Sequence, residues 1–382
     1  MKSILRNGTV AVALTFLAVA CGDGGGEVDP IRVAGYRVWI PGPLVERYPP
    51  DPHDLQAEDI VEGGLDLAVG VGEGEGIYVL DAGARHVLRL DGDATLQAVI
   101  GRPGGGPGEL GAPVSIEADL RGGVWVADRQ HHRLSRFDSD GELLEETPVP
   151  STVRGFTVLP NGTLLYRKFE NGVATLALHS GRGAVDLAAD LPAELAPQDL
   201  ASYLAEYDLE FAVLAPDTVI AFRNSGLRAY GAWRMALDTS SARITDIARV
   251  PMPVWLSEAI RAQAEEIEAS APERAEGIPP SARRSIIPFS RGARMASGDF
   301  WIVPHVIGGT VTATTIPLLS GDSVTIVLRS RPLREIDRCN GKVDYAVFGE
   351  RLAMLCSDEL RVYALQRVEP ERLPFDTNPA DG

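Results

Sequence analysis

Hydrophobic and polar positions alternate along most of this chain in short apolar runs, each introduced by a glycine or a polar turn. GIYVLDAGARHVLRLDGD (76–93) and GVWVADRQHHRLSRFDSDG (123–141) follow one plan. A Gly precedes an alternating apolar strand that ends in Asp; a polar turn, a second apolar strand and an Asp/Gly hairpin follow. Asp81 and Asp128 mark the repeat, and that spacing fits a four-stranded propeller blade. The same turn-then-strand pattern recurs in NGTLLYRK (161–168), PDTVIAFRN (216–224), SGDFWIVPH (297–305) and GERLAMLCSDELRVYAL (349–365), which makes six candidate blades. The last unit lacks an outer strand after Leu365. Residues 33–40, VAGYRVWI, read as a strand able to supply it and so cover an exposed sheet edge.

Two stretches break the rhythm. Leu200, Tyr203, Leu204 and Tyr207 have helical spacing, as do Leu256, Ile260, Ala264 and Ile267 with Ser257 as a candidate N-cap. Both are expected to be short helical insertions between blades. Forty Gly and 27 Pro agree with a turn-rich, all-β chain. The expected organisation is a leader over 1–21, a tether over 22–32, a six-bladed β-propeller over 33–368 and a loose tail over 369–382.

The unit at 65–142, with the Gly/Pro loop GRPGGGPGELGAPVSIEAD (101–119), Pro113, V-W-V-A-D and an Arg-centred third strand, resembles an NHL repeat. That resemblance implies a propeller whose blades are joined through Gly-rich loops.

The N-terminus carries a second signal. Lys2 and Arg6 precede an apolar run, Val10 to Ala20, which ends Leu17-Ala18-Val19-Ala20-Cys21-Gly22. This resembles the lipobox of bacterial lipoproteins, with Ala18 where Leu is commoner. It implies cleavage before Cys21 and lipid on that residue; Gly22, in place of the Asp that retains many such proteins at the inner membrane, points to the outer one. The tether reaches roughly 17 Å as a random coil. With Cys21 lipidated, Cys339 and Cys356 remain, and an oxidising compartment suits a disulfide between them. Cys356 ends the second strand of its blade, and Cys339 precedes a first strand placed at 343–348, so both fall at the same edge.

Net charge is −17, from 53 acidic and 36 basic residues, and no basic stripe is present, which argues against nucleic acid. Alignment of the units on their second strands gives one position per blade: Asp81, Asp128, Arg167, Arg223, Pro304 with His305 beside it, and Cys356. These are the ligand-binding candidates, acid on two blades and base on the next two. Asp at such a position also caps its own turn through backbone N–H groups. His86, His131, His132 and His305 lie in turns, where three could hold zinc as some propeller lyases do; His86 aligns with Arg133 rather than with His131. Lactonase-like propellers hold calcium with Glu, Asn and Asp, whereas none of the six Asn here recurs in an inner-strand slot. Gly106-Pro107-Gly108-Glu109-Leu110-Gly111 spells a dinucleotide fingerprint, but a strand rather than a helix follows. Asp138-Ser139-Asp140-Gly141-Glu142 reads as a hairpin turn, not a calcium loop. No catalytic set, metal site or cofactor is expected. The reading is a non-catalytic envelope lipoprotein, held to the membrane by its lipid, whose propeller binds a protein, peptide or saccharide. The alternative is a metal-dependent propeller enzyme of lyase or lactonase type.

Overall fold

The computed structural model describes residues 38–49, 61, 64–70, 76–119, 121–150, 153–171, 173–180, 183–187, 191, 209–223, 231–250, 292–294, 300–302, 311–315, 324–328, 344–348, 351–356 and 358–368. Cys21, His305, Cys339 and both stretches of helical periodicity lie outside them. Among the described residues there is no helix, and six antiparallel sheets of four strands account for nearly all the regular structure.

The first sheet runs β2 (Gly64–Gly70), β3 (Gly76–Asp81), β4 (His86–Leu90), β5 (Leu96–Ile100), in simple up-and-down order. A Gly/Pro loop with a two-residue parallel pair, β6 (Arg102–Pro103) and β7 (Glu109–Leu110), leads to the second: β8 (Pro113–Ala118), β9 (Val124–Asp128), β10 (Arg133–Phe137), β11 (Leu143–Pro148). The third is β12 (Arg154–Val158), β13 (Leu164–Glu170), β14 (Val173–Ser180), β15 (Gly183–Asp186). The fourth is β16 (Leu209–Ala215), β17 (Thr218–Arg223), β18 (Gly231–Asp238), β19 (Arg243–Arg249). The fifth is β20 (Gly292–Arg294), β21 (Phe300–Ile302), β22 (Val311–Thr315), β23 (Val324–Leu328).

The sixth sheet joins the ends of the chain. It comprises β24 (Asp344–Phe348), β25 (Arg351–Leu355), β26 (Leu360–Val368) and, on its outer edge, β1 (Val38–Tyr48). The N-terminal strand thus covers the edge left by the last unit, but it runs further than 33–40 and includes Pro41 and Pro43. A proline cannot donate to a ladder, so it is tolerated on an edge strand. The register with β26 shifts on either side of Leu44, next to these prolines.

Burial explains why the second strands read as apolar runs. All six residues of β3 are buried, because both its faces are covered. Ile77 and Val79 pack with Ala353, Leu355 and Val362 of the sixth sheet. Tyr78 and Leu80 pack with Ile116, Val124 and Val126 of the second. Trp125 packs in turn with Phe156 and Tyr166 of the third, whose Leu165 and Leu178 meet Phe211 and Met235 of the fourth. Each fully buried large side chain contributes about 1.5–3 kcal/mol. The first strands touch in sequence order, β2 to β8, β12, β16, β20 and β24, and β24 touches β2.

The repeated glycine has a steric cause. A Cβ on Gly123 would lie 2.0 Å from the Phe137 carbonyl oxygen, and one on Gly76 would lie 2.8 Å from that of Leu90. At both places the second strand starts against the end of the third, and only hydrogen leaves room.

Candidate functional site

Up-and-down order brings the turns between second and third strands, and the connections from one sheet to the next, to one end of the sheets. On the first two sheets that end carries residues 82–85, 129–132 and the loop 101–112, and it is called the loop face below.

The loop is held from within. Asp128 ends β9 fully enclosed, and its carboxylate accepts from five N–H groups: Gly111 (2.8 Å), Ala112 (3.0 Å), Gln130 (3.1 Å), His131 (3.4 Å) and the His131 ring Nδ1 (2.6 Å). A carboxylate here only accepts, so Nδ1 carries the hydrogen. Glu109 accepts from Gly106 N, and Glu146 from Gly108 N. Arg133 pairs with Glu146 and donates to the Gly106 and Glu109 carbonyls. The amides that a phosphate would seek are therefore filled by the chain's own carboxylates, and no helix follows. The dinucleotide-like spelling has a purely structural use.

Burial opposes ionisation of Asp128, but the Gly111 and Ala112 amides and His131 outweigh it and hold the carboxyl below its usual range. Asp119 behaves alike on the opposite face: burial raises its pKa, while Arg121 and Arg136 lower it by more.

The candidate positions divide unevenly. Asp81 and Asp128 both cap turns, Asp81 through the Ala84 N–H (3.0 Å). Asp81, Asp128 and Arg167 are equivalent in the register: each faces the start of its first strand, at Gly64, Pro113 and Arg154, just before a bulge. All three are buried. Arg223 ends β17 opposite Leu209. Cys356 is fully buried just after β25, and its thiol is not free. His86 opens β4 opposite Asp81, whereas His131 and His132 lie in the next turn. Among the described residues no three His, Cys, Asp or Glu side chains converge as a metal site would require. The Asp138 segment forms a hairpin turn, with Asp138 accepting from the Asp140 and Glu142 amides.

One set of residues was missed from the sequence. Asp344 on β24 accepts from Leu67 N of the next sheet (2.9 Å), and Asp66 on β2 accepts from Ile116 N of the sheet after that (2.8 Å). Glu117 on β8 accepts from the Thr157 hydroxyl on the third sheet (2.6 Å). First-strand carboxylates thus latch successive sheets together around the inner strands. The signal was an acid inside an apolar run, as in GLDLAVG.

No family model matches the chain. A segment of 72 residues is 36% identical to human NHL repeat-containing protein 3, covering 18% of this chain and 21% of that protein. The chain therefore spans about a fifth of the curated relative it matches. Among solved structures, a protein of Bacteroides fragilis NCTC 9343 aligns over 87% of this chain and 96% of its own, with a TM-score of 0.51 at 9% identity. A gluconolactonase of Xanthomonas campestris aligns over 86% and 100%, with a TM-score of 0.49 at 12% identity. Virginiamycin B lyase of Staphylococcus aureus aligns over 81% and 97%, with a TM-score of 0.45 at 11% identity. At such identities the likeness is one of fold.

Proposed function

We propose that this chain is a lipid-anchored, closed six-bladed propeller of a bacterial envelope, more specifically of the outer membrane, and that it holds a protein, peptide or saccharide ligand on its loop face. The observation that carries the reading is the bracing of loop 101–112. Asp128, Arg133, Glu109 and Glu146 fix its backbone, which presents the exposed residues of the neighbouring turns on a rigid platform. Contact between β24 and β2 and the outer position of β1 support ring closure. A Cys339–Cys356 bridge belongs to the same reading, supported by the engaged sulfur of Cys356.

The anchor has a direction in this reading. β1 starts at Val38 opposite Val368 and ends at Tyr48 opposite Leu360, beside the turn after β25. The first described residue, Val38, thus stands at the end opposite the loop face, and in this reading the anchor lies on that side.

A second reading, a propeller enzyme, rests on one observation: the His131 imidazole is oriented by a buried carboxylate, as a proton-transfer group would be. Such an enzyme of lyase or lactonase type would need metal ligands from residues outside those described. Metal analysis of the purified protein separates the readings, since stoichiometric zinc or calcium favours the enzyme.

The main test is photocrosslinking in cells. A crosslinker at exposed Gln130 is expected to capture an envelope ligand that one at Asp140, on the opposite face, does not. Equal capture from both positions, or none from Gln130, overturns the loop-face reading.

A further inference from the structure

Among the described residues, the exposed, unpaired charges at the two ends of the first two sheets differ in sign. On the end opposite the loop face the turns are Asp91-Gly92-Asp93 and Asp138-Ser139-Asp140-Gly141-Glu142. The loop face of the same sheets presents Arg85 and Arg129, both exposed, and His132, exposed in the same turn as Arg129. The other arginines at this end are committed: Arg102 pairs with Glu109, and Arg133 with Glu146. Arg85 and Arg129 have no carboxylate partner among the described residues, although acidic residues outnumber basic ones 53 to 36 in the chain.

Local stability does not account for Arg85 or His132. Arg85 and His132 stand in the left-handed region, at φ 58° and 52°, where Gly or Asn fits at less cost. An arginine there gains nothing for the turn, and its planar fork suits a carboxylate bound through two parallel hydrogen bonds.

The size of the partner follows from the whole charge. A long uniform polyanion laid across this face would extend over a molecule of net charge −17 and be repelled beyond the two turns. A short acidic segment would meet only the local cationic patch, because screening confines each charge to about 8–10 Å at physiological salt. We infer that Arg85 and Arg129 bind a short carboxylate-rich segment of a protein partner. This rests on the reading that the loop face holds the ligand, and it names the ligand's chemistry.

The test uses the full chain in detergent and a fluorescein-labelled hexaglutamate peptide, read by anisotropy at low and physiological salt. The peptide is expected to bind, more weakly as salt rises, and the double variant R85S/R129S to bind about tenfold or more weakly. D140N, on the opposite face, should bind as the parent does. Both arginines are exposed and unpaired, so the double variant should melt with the parent, and R85K/R129K should keep part of the affinity. Absence of peptide binding by the parent overturns the inference, as does binding that R85S/R129S leaves unchanged. A heparin hexasaccharide that binds as tightly as the peptide overturns the assignment to a short protein segment. Capture from Gln130 in cells with no hexaglutamate binding would leave the loop-face reading standing and remove only the acidic ligand.

Discussion

Replacement of Asp128 by Ala removes one carboxylate and leaves five N–H groups to find other partners. They are not equivalent. Gln130 is exposed and its amide gains water, and the His131 ring is partly open to solvent. The Gly111 and Ala112 amides tie the Gly-rich loop to the second sheet, and the Gly111 bond is buried. An orphaned buried donor costs about 1–3 kcal/mol, so the loop attachment accounts for about 2–5 kcal/mol. Asp128→Asn keeps one acceptor oxygen but sets an amide against one of these donors, and a loss of about 1–3 kcal/mol is expected. Hydrogen exchange at Gly111 and Ala112 should quicken by about a hundredfold in Asp128→Ala, the equivalent of roughly 3 kcal/mol. The effect should depend on pH. The folded carboxyl titrates below its usual value of 3.8, so its stabilisation is complete above the unfolded value and is lost as pH falls through the folded one. The gap between parent and Asp128→Ala should therefore be full at neutral pH and narrow in acid, where the protonated carboxyl keeps only part of its acceptor role. Unchanged exchange at Gly111 and Ala112 in the variant, or a gap that widens on acidification, would refute the argument.

Removal of an inter-sheet latch with Asp66→Ala should cost about 1–3 kcal/mol in denaturant unfolding, since the buried Ile116 amide loses its acceptor while Leu67 keeps Asp344. Gly123→Ala should be among the most damaging small substitutions, about 3 kcal/mol or more in thermal unfolding, because its Cβ would overlap the Phe137 carbonyl at φ +97°. Deletion of residues 33–48 should strip the outer strand from β26 and lead to aggregation, read by light scattering; a monodisperse product with the parental melting point would remove β1 from the closing role. Cys21→Ala should free the protein from the membrane fraction or leave it unprocessed, and a variant that fractionates as the parent does would dismiss the lipobox.

What the sequence determined by itself was local and periodic. Alternation marked the strands, and the glycine before the second strand of the first two sheets marked a backbone contact that excludes any Cβ, at Gly76 and Gly123. The Asp at the end of a second strand announced a capped turn, which Asp81 and Asp128 both make. The periodicity also showed that the last unit needed an outer strand and that the N-terminus held one. The tertiary structure decided which backbone each side chain would reach. Nothing local says that Asp66 will bond Ile116 or that Asp344 will bond Leu67, because those partners lie 50 and 277 residues away. Alignment by position also left Asp128 as an open ligand candidate; only packing of the 101–112 loop against β9 reveals that its acceptors are already filled. The N-terminal strand was legible as far as Ile40 but could not be followed to Tyr48, because Pro41 and Pro43 read as breakers unless the strand is known to be an edge. Period is written in neighbouring residues, whereas saturation of a buried carboxylate is a property of whatever the fold brings to it.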